Sequence, residues 1–320
     1  VRCTNVKHVF LLIKYAPFLG GLMSFSARVA YFLIFCARAR DSGFQFQASI
    51  LEGITSSSAD LPMLPDRDFF DALAAAAKAE TLPRFRTGLS VINKLMGGFD
   101  PVTEGDRAAE TAIRSLIVER FPEHGILGEE HENVGLDREH IWVIDPIDGT
   151  RAFISGLPVW GTLIGFQSNG RAAMGMMDQP FIGERYFADG TRAWYSGPDG
   201  ERQISVRDCG SLADATLFTT SPHIFGGEDL AKYQAVEDRV RLFRYGCDCY
   251  AYVLLASGHI DIVVENNLKP YDVGALIPII EQAGGIITTW DGGRPENGGN
   301  ILAAGSKAVH AEAMKLLSGK

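Results

Sequence analysis

Apolar residues recur every three or four positions after Asp66, at Phe69, Phe70, Leu73, Ala74 and Ala77, with a further acid at Asp68 and Pro83 beyond the end. This period predicts an amphipathic helix with one face on a core, begun by acids and stopped by proline. A second stripe, Ala109, Ala112, Ile113, Leu116 and Ile117, runs to Pro122, and Thr103 with Asp106 has the spacing of a capping box at its start. Capping alone would account for Asp106. Between the two helices, residues 91–99 read as a short segment or turn containing Lys94 and Gly97-Gly98.

The period then shortens. Residues 141–144 (IWVI) are an apolar run of buried-strand length, and runs at 159–167, 171–178, 184–188 and 192–195 are punctuated by Ser168-Asn169-Gly170 and Asp189-Gly190. Short strands separated by such turns predict an antiparallel meander. From about residue 215 strands at 215–219, 240–243, 260–265, 286–289 and 301–304 alternate with helices from 227, through 249–257, from 271 and up to 317. An α+β half, 63–200, is therefore expected to precede an α/β half, 201–320. Ligands in such folds gather where strand ends meet helix starts. No internal repeat is evident.

Composition changes this picture in a few places. With 320 residues and 46% hydrophobic content the chain can bury a large core. A formal net charge of −9 argues against a nucleic-acid partner, whose phosphates would be repelled, and favours a small ligand. The acid is unevenly spread: six of the 30 lysines and arginines, and none of the 39 acids, precede Asp41.

The basic, aromatic-rich stretch 1–62 has three readings: a membrane helix, a cleaved targeting peptide, or a start assigned upstream of the true one. Lys14 and Arg28 break its apolar run into 15–27 and 29–37, shorter than the roughly 20 residues a bilayer needs, so a membrane span is disfavoured. Arginine and serine without acids suit a targeting peptide. Val1 in place of Met, with Met63 directly before the first helix, favours the third reading, and 45–64 has the composition of a disordered linker. The stretch is expected to add nothing to catalysis. Five cysteines, Cys3, Cys36, Cys209, Cys247 and Cys249, form no zinc spacing and are expected to be reduced packing residues.

The chemistry is concentrated around the run 141–144. It delivers Asp145 to a strand end, and the chain then turns through Pro146, Ile147, Asp148 and Gly149, placing two carboxylates on a rigid corner. Glu129 and Glu130 add two more upstream. Carboxylates with a backbone carbonyl suit a hard cation such as magnesium. The N–H groups of Gly149 and Thr150, with the Thr150 hydroxyl, suit an anion. These are also ordinary turn residues, so turn chemistry alone does not separate a site from a solvated corner. A haloacid-dehalogenase turn has its aspartates two apart after the first strand, whereas here they are three apart and mid-chain. An EF-hand loop lacks support too, since its alternating acids and terminal Glu are missing.

Three separated motifs, GEE at 128–130, WVIDPIDGTRAF at 142–153 and KPYD at 269–272, together resemble the inositol monophosphatase superfamily. The resemblance covers roughly 65–317 and implies an αβαβα layered sandwich with magnesium-dependent phosphomonoesterase activity. It implies that Glu129, Asp145, the carbonyl of Ile147, Asp148 and Asp272 hold two or three Mg2+ ions, that Thr150 and Glu129 orient the attacking water, and that Asp106 reaches the metal site through water. Four stretches narrow it: TTSPHIFGG at 219–227, YGCDCYAY at 245–252, NLKPYD at 267–272 and FISGLPVWGTLIGF at 153–166 resemble the histidinol-phosphate phosphatase branch. That branch implies L-histidinol phosphate as substrate, histidine biosynthesis and a cytoplasmic homodimer, or an organelle address if 1–62 is a transit peptide.

Charge agrees with such a substrate, which carries an ammonium and an imidazole beside its phosphate. Asp248 and Glu265, in the substrate-binding region that the resemblance implies, are expected to bind that cationic part, since a carboxylate–cation hydrogen bond is about twice as strong as a neutral one. A helix cap for Asp248 and a solvated strand end for Glu265 are the competing readings. Two other functions stay open: an inositol-phosphate or broad phosphomonoesterase, and a phosphate-binding regulator without turnover.

Overall fold

The first predicted helix forms where the period places it. In the computed structural model, which describes residues 64–88, 91–93 and 101–319, α1 (Arg67–Thr81) starts where the Asp66 Oδ1 accepts from the Phe69 N–H at 2.9 Å. The expectations for residues 1–62, for Lys94 and for Gly97-Gly98 lie outside the described residues. α2 (Glu104–Arg120) is the second predicted helix, and β1 (Val91–Asn93) pairs antiparallel with β2 (Pro101–Thr103) just before it. No described helix is long and apolar enough to cross a membrane.

One sheet has seven strands in the order β3 (Gly125–Gly128), β4 (His140–Asp148), β5 (Gly161–Ser168), β6 (Arg171–Gln179), β7 (Glu184–Ala188), β8 (Ala193–Gly197) and β9 (Gly200–Gln203). Only β3 and β4 are parallel; from β4 onward each strand turns back on its predecessor, the expected meander. A second sheet contains β10 (Thr216–Thr219), β11 (Leu242–Tyr245), β12 (Ile262–Leu268), β13 (Ile286–Thr289) and β14 (Gly299–Ala304), in the order β11-β10-β12-β14-β13. The helices of this half are α4 (Gly227–Glu237), α5 (Asp248–Ala256), α6 (Pro270–Val273), α7 (Leu276–Gln282) and α8 (Lys307–Leu317), while α3 (Thr150–Ile154) follows β4.

The alternation of side chains along the strands sorts these elements into layers. Trp142 and Ile144 of β4 and Ile164 and Phe166 of β5 pack on Phe70, Leu73, Ala109 and Ile113 of α1 and α2. Leu163 of β5 and Met177 of β6 face the other way, onto Val253 of α5 and Ile280 of α7, and that middle layer also meets Val263, Ile301 and Ala303 of the second sheet. The opposite face of the second sheet, Leu217, Ile262, Val264 and Leu302, is covered by Tyr233 of α4 and by Val309 and Ala313 of α8. The result is helices, sheet, helices, sheet, helices, the αβαβα sandwich expected from the resemblance. Each fully buried Leu, Ile or Phe contributes about 1.5–3 kcal/mol to holding the layers together.

The middle helices approach the large sheet very closely. A Cβ on Gly175 would lie 2.1 Å from the Ala275 carbonyl oxygen, and one on Gly274 would lie 2.8 Å from Val143 Cγ1. Glycine at both positions lets the α6–α7 backbone lie against β4 and β6, which carries Asp272 toward the end of β4.

The structure departs from the sequence pattern in detail. The predicted strand 240–243 lies two residues later as β11, because its place is set by parallel hydrogen bonding to β10 and not by burial: all four of its residues are exposed. The helix expected from 271 is two short helices, broken where Gly274 and Ala275 press on the sheet. The described cysteines, Cys209, Cys247 and Cys249, are free thiols.

Candidate active site

β4 runs beyond the predicted 141–144 to Asp148 and loses its regular pairing with β5 on the way: Asp145 faces Leu163 and Asp148 faces Gly161. The corner is tied by local bonds. The Ile147 N–H donates to Asp145 Oδ1 at 3.1 Å, the Thr150 hydroxyl to the Ile147 carbonyl at 3.1 Å, and the Thr162 hydroxyl to the Pro146 carbonyl at 2.8 Å. Gly149 sits at φ +80°, a left-handed conformation that glycine adopts without cost. The same turn thus aims two carboxylates and sets the Thr150 hydroxyl against the Ile147 carbonyl.

Asp272 arrives from α6, where the Lys269 N–H donates to its Oδ2 at 2.6 Å. One carboxylate oxygen from each of Asp145, Asp148 and Asp272 lies within 4.8 Å of the others. α5 joins the cluster through the Cys249 N–H, which donates to Asp148 Oδ2 at 2.7 Å. Burial, then Glu129, Asp148 and Asp272, hold the Asp145 carboxyl well above its ordinary range. Burial, then Asp248 and Asp272, do the same to Asp148, against the Cys249 N–H. Like charges crowded out of water are costly unless a cation joins them. An all-oxygen set from two distant parts of the chain, the β4 corner and α6, fits a hard divalent ion.

Glu129 lies beside Asp145, outside the triple itself. Its loop is pinned from α2. Buried Glu110 accepts the Glu130 N–H at 2.7 Å and the Arg114 Nε at 2.7 Å, and Arg114 in turn donates to the Glu132 carbonyl at 3.0 Å. Asp106 caps its helix with one oxygen and leaves the other unpaired. Its Oδ2 closes the capping box, accepting from the Thr103 N–H at 2.8 Å and the Thr103 hydroxyl at 2.5 Å, while Oδ1 is buried without a partner. Burial, despite those bonds and with Glu129 nearby, raises its pKa to about 6.

A cavity of about 190 Å³ opens beside the triple, lined by Asp148, Thr220, Asp248, Tyr252, Glu265 and Asp272 among others. Glu265 is not a solvated strand end: it is 2% exposed, its Oε1 accepts from the Thr220 N–H at 2.6 Å and its Oε2 has no partner. Burial raises its pKa to about 8. Asp248 opens α5 at φ +42°, a left-handed conformation costing an Asp about 1–2 kcal/mol that a capping role does not require. Its carboxylate lies over Gly149, 3.1 Å from where a Cβ would stand. Burial raises its pKa, and the Thr220 hydroxyl and Arg151 draw it back.

Every site residue singled out in the sequence is therefore near one corner: Asp145, Ile147, Asp148, Gly149 and Thr150 on it, Asp272, Asp248 and Glu129 against it, Asp106 behind Glu129 and Glu265 across the cavity. Sequence reasoning missed Glu110, Arg114, Tyr252 and Asn266. The first two carry an i, i+4 signal that reads as an exposed helix pair, and Tyr252 stands one helical turn after Asp248.

A profile of the inositol monophosphatase family matches residues 66–319. The chain is 42% identical over 259 residues to the chloroplastic bifunctional phosphatase IMPL2 of Arabidopsis thaliana, covering 77% of this chain and 73% of that one. It is 34% identical over 249 residues to a histidinol-phosphatase of Chlorobaculum parvum, covering 77% and 94%. Among solved structures, an inositol monophosphatase from Zymomonas mobilis superposes with a TM-score of 0.70 at 37% identity, covering 78% of this chain and 96% of that one.

Proposed function

This chain belongs to the inositol monophosphatase family of metal-dependent phosphatases acting on small phosphate esters, and on that premise we propose that it hydrolyses L-histidinol phosphate to L-histidinol and phosphate. The observation that carries the proposal is the acid-lined cavity beside the carboxylate triple, with Asp248 and Glu265 on its wall. A cavity so rich in acceptors suits an alcohol that brings an ammonium and an imidazole, and suits a polyol less well. The histidinol-phosphatase named among the relatives supports the same substrate. The reading includes Mg2+ as the ion, two or three per site, a homodimer, a cytoplasmic location and a place in histidine biosynthesis.

In this proposal Glu129, Asp145, Asp148, Asp272 and the Ile147 carbonyl hold the metal. Bound there, the metal supplies charge stabilisation for the phosphate and the departing alkoxide and acidifies water. The protein's own part is positional. Thr150 donates its proton to Ile147, so its oxygen is left to accept one from the attacking water. Glu129 takes the same water from the other side, and the partnerless Oδ1 of Asp106 holds a further water in line behind Glu129. The Gly149 and Thr150 N–H groups meet the phosphate, while Asp248 and Glu265 hold the cationic alcohol. In-line attack then forms the new P–O bond as the bond to the alcohol breaks, the alcohol leaves with the proton given up by the attacking water, and phosphate is released with no phosphoenzyme.

Phosphate release by the purified protein, with magnesium and with chelator, on histidinol phosphate, inositol 1-phosphate and adenosine 3′,5′-bisphosphate tests this. The expected result is metal-dependent turnover dominated by histidinol phosphate. Preference for another ester overturns the substrate, and binding without turnover on all three overturns the activity.

A further inference from the structure

Two elements, α5 and β12, meet at the far wall of the 190 Å³ cavity. Tyr252 and Asp248 are four residues apart on α5 and so share a face of that helix. Glu265 and Asn266 are consecutive on β12, and strand alternation would send them to opposite faces. The register of β12 on β14 shifts between Glu265 and Leu268, and both residues line the cavity.

Three buried side chains on this wall, Tyr252, Glu265 and Asn266, each leave one polar atom unpaired. Tyr252 is 3% exposed and Asn266 5% exposed; the Tyr252 hydroxyl, Asn266 Oδ1 and Glu265 Oε2 have no hydrogen-bond partner. Buried polar groups are bonded in nearly all cases, so three orphans facing one cavity mark a place where something else supplies the partners. Metal binding does not answer for them, because the clustered ligand atoms belong to Asp145, Asp148 and Asp272. Asn266 Oδ1 only accepts, the Tyr252 hydroxyl accepts as well as donates, and the Asp248 carboxylate adds further acceptors on the same cavity. A ligand that brings N–H donors can pair with each of these.

We propose that the Tyr252 hydroxyl and the Asn266 carboxamide are specificity-determining groups that bind the leaving alcohol, and that with Glu265 they select alcohols rich in N–H donors. The inference rests on the phosphatase reading above and adds two residues to it. Losing a ligand leaves these groups buried and unpaired, which is how a polar pocket rejects an analogue that lacks the matching donor.

Tyr252→Phe removes a single oxygen and keeps the ring in place, so it is the primary test; Asn266→Ser is the second. Each variant is compared with the wild-type enzyme on histidinol phosphate and on glycerol 2-phosphate, which has no nitrogen, together with inhibition by L-histidinol and the thermal unfolding midpoint. The ratio of kcat/KM between the two esters is expected to fall about tenfold for Tyr252→Phe, carried by KM, as one hydrogen bond is lost. The inhibition constant of L-histidinol is expected to rise by a similar factor. A parallel fall on both esters, or a change in kcat alone, overturns the inference in favour of a structural role. No change on the preferred ester, whichever it is, also overturns it. If the wild-type enzyme prefers glycerol 2-phosphate, the histidinol reading fails separately; a raised KM for that ester in Tyr252→Phe then keeps the contact with the leaving alcohol but overturns the N–H selectivity.

Discussion

The two ends of β4 are built from opposite materials. Its amino-terminal part, His140 to Ile144, is locked among rings: Trp142 lies 5.2 Å from Phe166 and 5.3 Å from Phe70 between ring centroids, and the Trp142 Nε1 donates to His124 Nδ1 at 3.1 Å. Its carboxyl-terminal part, Asp145 to Asp148, is as deeply buried in part but carries carboxylates held against one another. One half of the strand supplies stability and the other spends it on a site that only a cation and a phosphate ester complete. Nine residues can hold both because the aromatic half clamps the direction in which the acidic half points.

The sharpest way to break this division is Asp148→Asn. Turnover is expected to fall on the order of a thousandfold, as for loss of a major electrostatic group. The metal-free variant is expected to unfold at a higher temperature than metal-free wild type, because one crowded charge is gone. A phosphate-release assay reads the first part and calorimetry without metal the second; a variant that is less stable without metal would show that the cluster is not strained.

Trp142→Ala attacks the other half. It is expected to cost about 3–5 kcal/mol of folding stability, the range for truncating a buried Trp, while the folded fraction keeps its kcat. Denaturant unfolding beside single-temperature assays checks this, and loss of kcat in fully folded protein would mean that the two ends are not separable.

Glu110→Gln sits between the two regions, since Glu110 is buried in the helix layer but holds the Glu130 N–H. Weakening the Arg114 pair is expected to cost about 1–3 kcal/mol of stability and to raise the magnesium concentration needed for half-maximal activity. An unchanged magnesium dependence would remove Glu110 from the positioning of Glu129.

A further effect, confined to mildly acidic solution, is expected from pH. Burial, then His140 and Arg138, depress the His124 pKa from 6.5 to about 4, so the unfolded chain takes up this proton first as the solution is acidified. The stability tied to neutral His124 is complete above pH 6.5 and is lost as pH falls toward 4. Unfolding midpoints across that window are expected to drop less steeply in His124→Gln, and parallel curves for the two proteins would contradict the assignment.

Much of this molecule was determined by its sequence alone. The 3.6 period of Phe70, Leu73, Ala74 and Ala77 and the alternation of Trp142 and Ile144 required amphipathic elements, because burial of apolar surface does not depend on which partner supplies the cover. The Asp-Pro-Ile-Asp-Gly corner was equally legible, since proline and glycine restrict the backbone locally. The tertiary structure decided everything that needs two distant segments to meet. β11 took its position from β10 although none of its side chains is buried, Asp272 reached Asp145 and Asp148 because Gly274 and Gly175 admit a helix backbone against the sheet, and Glu110 became a buried anchor where its spacing to Arg114 suggests a surface pair. Tyr252 and Asn266 acquire meaning only as hydroxyl and amide groups left unpaired in a shared cavity. Pairing and its absence are properties of neighbours in space, and residue order alone does not contain them.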